Sequence, residues 1–282
     1  MKQTSPNLPD LSVTLVTYDP DLDVLERTID SLALAAEYAV MEGSLGQCHL
    51  TLVDNGPGGG WREPLHSLLD SNSMAFATSV LLSGHGNIGY GRGHNRGAGR
   101  LETDFNLVLN PDVVMDRSSL DAGIRFLAAN PHCSMAVPAV FDSTGTNRQF
   151  PAKRYPSVLV LGLRGFAPKW LQRLFAGKLN HYEMRDLVND GPIFSVEIAS
   201  GCFMLIAGPC FRKAGGFSDR FFMYFEDYDL SVRLREIGPI AWCPDMKVIH
   251  MGGGASRKGM RHIRFFTVSA LKFFSIHGWR WF

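Results

Sequence analysis

The sequence lacks the features of disulfide-bonded, metal-clustered and membrane-spanning proteins. Its five cysteines form no Cys-x-x-Cys pair and no cluster with metal-ligand spacing, so we expect reduced, buried thiols. No apolar run is long enough to cross a bilayer. The first ten residues are polar and do not resemble a signal peptide. These absences predict a cytoplasmic protein, or one bound peripherally to the inner face of the cell membrane.

The chain as a whole has almost no excess of one charge sign, but two of its segments are strongly basic. The net charge is only +1, which gives no case for a nucleic-acid partner. Residues 143–182 and 246–282 nevertheless each contain seven Lys or Arg and no Asp or Glu. This segregation predicts a basic face for an anionic surface or substrate.

Several catalytic motifs are absent, and one nucleotide motif lies in the wrong context. The chain has no P-loop, no His-Glu-x-x-His zinc motif and no Gly-x-Ser-x-Gly nucleophile motif. Residues 84–89 fit Gly-x-Gly-x-x-Gly, but they follow a third strand and no acid is placed to bind a ribose. A glycine-rich turn that opens a helix is favoured over an NAD site. The other interpretation is that Asn87 to Asn95 packs closely on a nucleotide sugar.

Strands and helices alternate along the first part of the chain. Buried strands are predicted at residues 12–17, 49–53, 79–82 and 106–109, with helices between them. This alternation predicts a mostly parallel sheet covered by helices on both faces. Ligands of such sheets bind beyond the carboxyl ends of the strands, which places Thr17, Tyr18, Asp54, Asn110 and Asp112 at one edge. A Pro-containing loop with a short helix is predicted at 149–188, and a final helix at 261–277.

Three acids directly follow the aromatic run 221–225. Glu226, Asp227 and Asp229 fit two interpretations that the residues alone leave open. Acids favour the first turn of a helix because the N-terminus carries partial positive charge. Acids against an aromatic wall also have altered pKa values, as catalytic carboxylates do.

A second acidic position follows a predicted strand end, and a histidine follows another. Asp112 lies in an Asn-Pro-Asp turn, and His250 ends an apolar run before three glycines. One interpretation is an ordinary turn and a packed histidine. The other is a metal site, since Mg²⁺ or Mn²⁺ on a diphosphate needs only one or two carboxylates.

Seven segments, taken in order, resemble the inverting glycosyltransferases of family 2, and most closely the rhamnosyltransferase-like enzymes. The matching segments are residues 13–18, 53–56, 86–95, 109–112, 200–204, 215–217 and 222–230. The resemblance implies an α/β GT-A fold with a Rossmann-like, mostly parallel central sheet. It implies a glycosyltransferase domain at 1–250 and a C-terminal basic aromatic helix at 251–282. Within the domain it implies a nucleotide-sugar half at 12–112, an inserted basic segment at 143–188 and an acceptor half at 196–250.

The resemblance also implies a role for individual residues. Asp227 would be the catalytic base, and Asp112 with His250 would bind Mg²⁺ or Mn²⁺. Glu226 and Asp229 would contact the acceptor or support its loop. The implied donor contacts are Thr17, Tyr18, Asp54, Asn87, Asn95 and Asn110. Asn110 replaces a carboxylate that other family members carry.

The implied activity is transfer of rhamnose, or a related deoxysugar or hexose, with inversion. The donor would be a dTDP- or UDP-sugar, and the acceptor a glycan or a polyprenyl-diphosphate-linked sugar. A nucleotidyltransferase and an inactive nucleotide-sugar-binding protein are the alternatives. The basic segments would then dock on an anionic membrane or hold a lipid-linked diphosphate, unless the last helix simply packs on the core.

Overall fold

The computed structural model describes residues 8–185, 191–252 and 260–282. The strands are β1 (Leu11–Thr17), β2 (Cys48–Asp54), β3 (Thr78–Leu82), β4 (Phe105–Leu109), β5 (Val113–Met115), β6 (Met135–Phe141), β7 (Arg148–Gln149), β8 (Ala152–Lys153), β9 (Ile193–Val196), β10 (Ile198–Ala199), β11 (Phe203–Ala207) and β12 (Ile240–His250). The helices are α1 (Leu22–Met41), α2 (Arg62–Ser71), α3 (Tyr90–Ala98), α4 (Ser119–Ala129), α5 (Val158–Phe166), α6 (Lys169–Leu174), α7 (Ala176–Tyr182), α8 (Gly208–Ala214), α9 (Glu226–Arg235) and α10 (Met260–His277).

The first half of the central sheet is parallel, as predicted. Its strands run in the order β3-β2-β1-β4, and every pairing among them is parallel. All seven residues of β1 are buried, which is typical of a strand covered on both faces. β1 and β2 end in register, with Thr17 opposite Asp54. The carboxyl ends of β1, β2 and β4 therefore form one edge.

Small residues allow α3 to lie close against this parallel half. A Cβ on Gly97 would come 2.4 Å from Thr14 Cγ2 on β1, and one on Gly93 would come 2.9 Å from the Val16 methyl groups. Such distances are too short for real side-chain contacts, so glycine is required at both positions. The predicted glycine-rich turn and helix therefore lie over the carboxyl end of β1.

The second half of the sheet is mixed. β11 runs antiparallel between β4 and β6, and β12 pairs parallel with β6 and antiparallel with β5. The sheet is therefore parallel through its first four strands and mixed beyond them, where β12–β6 is a parallel pair. Because β11 starts where β4 ends, the turn at 200–202 lies at the carboxyl edge, where Asn110 N donates to Cys202 O at 2.9 Å. The antiparallel strand therefore brings backbone from the second half to the predicted site.

The inserted segment is more structured than predicted, with two short strands and the helices α5, α6 and α7 in place of one short helix. Its first helix contacts the chain end: Val158 N donates to Arg280 O at 2.8 Å, and Leu159 N to Trp281 O at 3.2 Å. Phe273 and Phe274 of α10 pack in a cluster that includes Leu161. The two basic segments are thus neighbours. Residues 186–188 of the first and 253–259 of the second lie outside the described residues.

Candidate active site

Two predicted donor contacts end adjacent parallel strands and are buried. Thr17 is 2% exposed and Asp54 is 1% exposed. Asp54 Oδ1 accepts a 2.8 Å hydrogen bond from Gly56 N. Asp54 Oδ2 and Thr17 Oγ1 have no hydrogen-bond partner among the residues that the structure describes. Buried polar atoms without partners are costly, so these two can serve a polar ligand. The neighbouring Tyr18 is exposed.

The glycine-rich turn lies beside these strand ends. Asn55 Nδ2 donates to Gly89 O at 3.0 Å, and His85 Nε2 lies 3.1 Å from Asn55 Oδ1. Asn87 is exposed, and its Oδ1 accepts from Gly89 N at 3.0 Å. Gly89 itself has a φ of 90° and lies against Phe222, where a Cβ would be 2.5 Å from the carbonyl oxygen. The turn thus joins the strand edge to the segment that precedes the three acids.

Tyr90 links the two halves of the site, a role that sequence reasoning missed. Its hydroxyl lies 2.9 Å from Asn110 Oδ1 and 2.6 Å from the carbonyl oxygen of Gly201. Burial raises the pKa of Tyr90, and the nearby charges of Glu226, Cys202, Asp227 and Asp112 add to that effect. The phenol is therefore neutral, and the three carboxylates lie within electrostatic range of one side chain.

Asp112 and His250 meet because β12 pairs with β5. His250 lies opposite Val113, and its Nε2 is 3.2 Å from Asp112 Oδ1. Its other ring nitrogen, Nδ1, is 3.4 Å from Gln149 Oε1. A Cβ on Gly252 would lie 1.8 Å from Asp112 Oδ2, so only glycine leaves room for the carboxylate. The pair that was predicted from distant positions is therefore adjacent.

Asp227 is held at the start of α9 by backbone amides. Two residues with positive φ precede the helix, Tyr224 at 67° and Phe225 at 64°, a backbone that costs about 1–2 kcal/mol per residue. Asp227 Oδ2 accepts from Gly201 N at 2.9 Å, and Oδ1 accepts from Tyr228 N at 3.0 Å. Burial raises the pKa of Asp227. This strained turn fixes where the carboxylate points.

Other interactions lower the pKa of Asp227. The positive charge of Lys153 and the hydrogen bonds from backbone amides favour the ionised form and oppose the effect of burial. Within the described part of the chain, Asp227 forms no ion pair. Its carboxylate therefore remains available to a substrate.

Glu226 is buried at 6% exposure, and its Oε2 has no hydrogen-bond partner among the described residues. Burial, followed by the charge of Asp227, raises the pKa of Glu226 to about 8. Glu226 therefore keeps its proton at neutral pH. A protonated carboxyl can donate a hydrogen bond, whereas an ionised one only accepts.

A cavity of about 550 Å³ opens beside these acids. Asp227, Glu226 and Lys153 line it together with α5 and α10. Its apolar lining residues include Leu161, Phe166, Ile263 and Phe266. The cavity therefore joins the predicted catalytic base to the predicted basic segments.

Two predicted contact residues, Asn95 and Asp229, form hydrogen bonds to other parts of the chain. Asn95 uses its whole amide on the backbone of Phe217, with Nδ2 donating to the carbonyl at 2.7 Å and Oδ1 accepting from the amide at 2.8 Å. Asp229 is 3% exposed, accepts from Arg233 Nη2 at 2.6 Å and lies 2.8 Å from His277 Nε2. Asp229 thereby ties α9 to α10, which fits the predicted alternative that it supports the loop. The donor contact of Asn95 stays a prediction.

The three residues on which the prediction depends converge. Asp227 is bonded to Gly201, Gly201 to Tyr90, and Tyr90 to Asn110, which is two residues from Asp112. The Tyr90 hydroxyl thus lies between the two acids, and the charges of both Asp112 and Asp227 act on it. The structure brings both acids to the carboxyl edge of the sheet, where ligands of α/β sheets bind.

Known proteins share this sequence pattern and this fold. No family model matches the chain. The N-acetylglucosaminyl-diphospho-decaprenol L-rhamnosyltransferase of Mycobacterium tuberculosis is 28% identical over 254 residues, which are 85% of this chain and 75% of that protein. Rhamnosyltransferase WbbL of Escherichia coli is 23% identical over 57% of this chain and 61% of its own length.

Two solved structures resemble the whole chain. GalNAc-T7, crystallised with UDP, GalNAc and Mn²⁺, has a TM-score of 0.64 at 12% identity and covers 96% of this chain. TarS of S. aureus has a TM-score of 0.57 at 11% identity and covers 94%. At 12% and 11% identity the likeness shows the fold alone, and the chain spans 48% and 40% of those two proteins.

The resemblance stated from the sequence is confirmed by both kinds of comparison. The relatives are rhamnosyltransferases, and the structural neighbours have the GT-A fold. The chain therefore has the GT-A fold and is similar in sequence to rhamnosyltransferases.

Proposed function

We propose that the protein transfers a sugar from a nucleoside-diphosphate donor to a hydroxyl group of its acceptor with inversion, using Asp227 as general base. One observation carries this proposal. Asp227 lines a substrate-sized cavity, makes no ion pair among the described residues, and connects through Gly201 and Tyr90 to the edge that holds Asp112. A carboxylate so placed can accept a proton from an acceptor hydroxyl as that hydroxyl attacks the donor sugar.

The environment of Asp227 suits this task. Each of its oxygens accepts one backbone hydrogen bond, which leaves further lone pairs for a substrate proton. Burial raises its pKa, and a higher pKa makes the carboxylate a stronger base. Glu226, protonated at neutral pH, can donate a hydrogen bond to an acceptor oxygen. Fixed positions for both groups reduce the entropic cost of aligning donor and acceptor.

The Asp112–His250 pair fits a divalent metal ion. His250 Nε2 lies 3.2 Å from Asp112 Oδ1, and Nδ1 lies 3.4 Å from Gln149 Oε1, an acceptor that could hold the ring proton on Nδ1 when Nε2 binds a metal. Two electron-rich atoms at this separation match neighbouring ligands of a metal with bonds of about 2.1 Å. In residues 8–185, 191–252 and 260–282, no group of three or more His, Cys, Asp or Glu side chains could hold a metal.

Oxygens of a bound diphosphate and water would therefore complete the coordination of Mg²⁺ or Mn²⁺ at this pair. Such a metal supplies positive charge that stabilises the leaving nucleoside diphosphate. The likeness to a structure that contains Mn²⁺ and UDP supports this proposal.

The names of the relatives support the choice of substrates. We infer a dTDP- or UDP-sugar as donor, with rhamnose or a related deoxysugar or hexose as the transferred group. For the acceptor we infer a glycan or a polyprenyl-diphosphate-linked sugar, because the M. tuberculosis relative is named for a diphospho-decaprenol acceptor. Since the relatives are sugar transferases, they give no support to the nucleotidyltransferase alternative.

Ligand-induced stabilisation tests the donor and the metal. A ligand that binds only the native state raises the melting temperature, and at a given concentration a tighter ligand raises it more. We expect UDP or dTDP to raise it in the presence of Mn²⁺, and to lose most of that effect in an Asp112→Asn variant. No shift with any nucleoside diphosphate, with or without Mn²⁺, would contradict the proposal.

Replacement of Asp227 tests the base. We expect Asp227→Asn to lower kcat by about 100-fold or more, the usual contribution of a general base. Stabilisation by the donor nucleotide should stay at the wild-type level, since Asp227 lies on the acceptor side of Tyr90. Undiminished transfer by the variant would exclude Asp227 as the base.

We also propose that the neighbouring basic segments form a face that docks on an anionic membrane. Lys169, Arg173, Lys272 and Arg280 are exposed on this face. Exposed apolar side chains accompany them: Phe166, Trp170, Leu174, Leu271, Trp279, Trp281 and Phe282. Basic and aromatic residues together are typical of peripheral membrane binding. None of the described helices has both the length and the apolar character of a membrane-spanning segment.

Liposome co-sedimentation tests this face. The wild-type protein should sediment with anionic vesicles and remain in solution with neutral ones. Replacing Trp281 and Phe282 by Ser should weaken binding, whereas Met74→Ser, which removes an equally exposed apolar side chain elsewhere, should not. Equal binding by all three proteins, or no binding by any, would reject the proposal.

A further inference from the structure

Lys153 is a buried cation without a partner in the catalytic cavity. It ends β8, which pairs with β10 through Ile198, and its side chain is only 6% exposed. Over the described ranges, no carboxylate forms an ion pair with Lys153, and no hydrogen bond involves its Nζ. The Nζ lies 5.5 Å from the ring centroid of Tyr228. Both side chains line the cavity beside Asp227.

The Nζ of Lys153 is accessible from the cavity, so a ligand that fills the cavity would displace the water around it. Such a ligand would bind poorly unless it replaced that water with an opposite charge or hydrogen bonds. The ring of Tyr228 offers a cation–π contact but no opposite charge. Arg164, at the same cavity, lies 3.4 Å from Glu183, which Arg185 also contacts at 2.6 Å. Lys153 differs from Arg164 in that it is buried beside Asp227 and forms no ion pair among the described residues.

The surroundings indicate the chemistry of that ligand. Asp227 is close enough for the charge of Lys153 to lower its pKa, yet the two do not form an ion pair. A ligand that fills the cavity can thus present an anionic group to Lys153 and a hydroxyl group to Asp227. Leu161, Phe166 and Ile263 on α5 and α10 provide an apolar wall for the remainder. An anionic group between a sugar and an apolar chain is the pattern of a lipid-linked sugar phosphate.

We propose that Lys153 binds the phosphate group of the acceptor and so selects sugars linked to a lipid through phosphate over neutral glycosides. This inference rests on the proposed function, because it assigns the acceptor to the cavity of Asp227. It identifies a specificity-determining residue that no sequence motif indicates. Arg164 also lines this cavity but is half-exposed and lies within ion-pair distance of Glu183.

The experiment compares two acceptors that differ only in the phosphate. One is N-acetylglucosaminyl diphosphate with a short prenyl chain, and the other is the neutral N-acetylglucosaminide of the same chain. For Lys153→Met we expect KM for the diphosphate acceptor to rise roughly 10- to 100-fold, the effect of losing one charge-assisted contact. KM for the neutral acceptor and for the donor should not change. The control is Lys213→Met, which removes an exposed lysine of α8.

Direct binding separates this inference from the proposed function. If no sugar is transferred, calorimetry with the same two compounds still tests Lys153, and tighter binding of the diphosphate by wild type than by Lys153→Met supports the assignment. Equal preference for both acceptors by wild type would overturn it. So would an equal loss on both acceptors with a shifted pH profile, because Lys153 would then act only through Asp227. The variant should fold, since Met fills a similar volume without a buried charge.

Discussion

Glutamine at position 226 should make the protein more stable, and increasingly so as the pH rises. Glu226 is buried, and burial with the charge of Asp227 raises its pKa to about 8. In the unfolded chain this carboxyl group loses its proton near pH 4.5. Between these two values the native state holds one more proton than the unfolded state. Stability therefore falls as the pH rises through this window, and the penalty is complete above pH 8.

The magnitude follows from the two pKa values. At about 1.36 kcal/mol for each pH unit between 4.5 and about 8, ionisation of Glu226 lowers the free energy of unfolding by about 5 kcal/mol in total. Glu226→Gln cannot ionise, so its advantage over wild type should grow from about 1 kcal/mol at pH 5 to about 4 kcal/mol at pH 8. Any cost of burying the amide is the same at every pH and cancels from this slope.

Urea denaturation at five pH values between 5 and 9 measures the effect. The matched control is Glu236→Gln, which changes an exposed carboxylate at the end of the same helix and should follow wild type at each pH. Parallel pH profiles for wild type and Glu226→Gln would refute the reasoning. They would mean that Glu226 ionises in the native state as readily as in water.

Three further substitutions test the site and its support. Gly252→Ala places a Cβ 1.8 Å from Asp112 Oδ2, so Mn²⁺-dependent stabilisation by nucleotides should disappear while the melting temperature of the free protein changes little; retained Mn²⁺ dependence contradicts this. Asp229→Ala leaves Arg233 without its carboxylate and should cost about 3–5 kcal/mol of stability in urea without changing acceptor KM; an altered KM would restore the acceptor role. Tyr90→Phe should lower kcat about tenfold by freeing two bonded groups, and an unchanged kcat refutes the linking role.

The parallel half of the sheet was predictable because its signals are local. Each strand of that half is an apolar run ended by polar residues, and the carboxyl ends of parallel strands meet at one edge. This rule predicts that Thr17, Asp54 and Asn110 lie together, and it needs only the sequence. The antiparallel entry of β11 was not predictable in this way, since strand direction depends on which distant strand is paired.

The orientation of α9 determines which of its three acids faces the cavity. Asp227 and Asp229 are two residues apart, and a helix turns about 100° per residue, so the two side chains point to opposite sides. One faces the cavity, and the other is bonded to Arg233 and His277. The aromatic run and the acids were visible in the sequence, but which side faces the cavity depends on how α9 packs.

The sequence by itself determined the strand ends, the positions of the acids and the resemblance to glycosyltransferases, because these follow from the order of neighbouring residues. Only the tertiary structure decided that Lys153 lies unpaired beside Asp227, that Tyr90 joins the two halves, and that Gly252 makes room for Asp112. These contacts join residues far apart in the chain. Their energies depend on burial and distance, which no local pattern encodes.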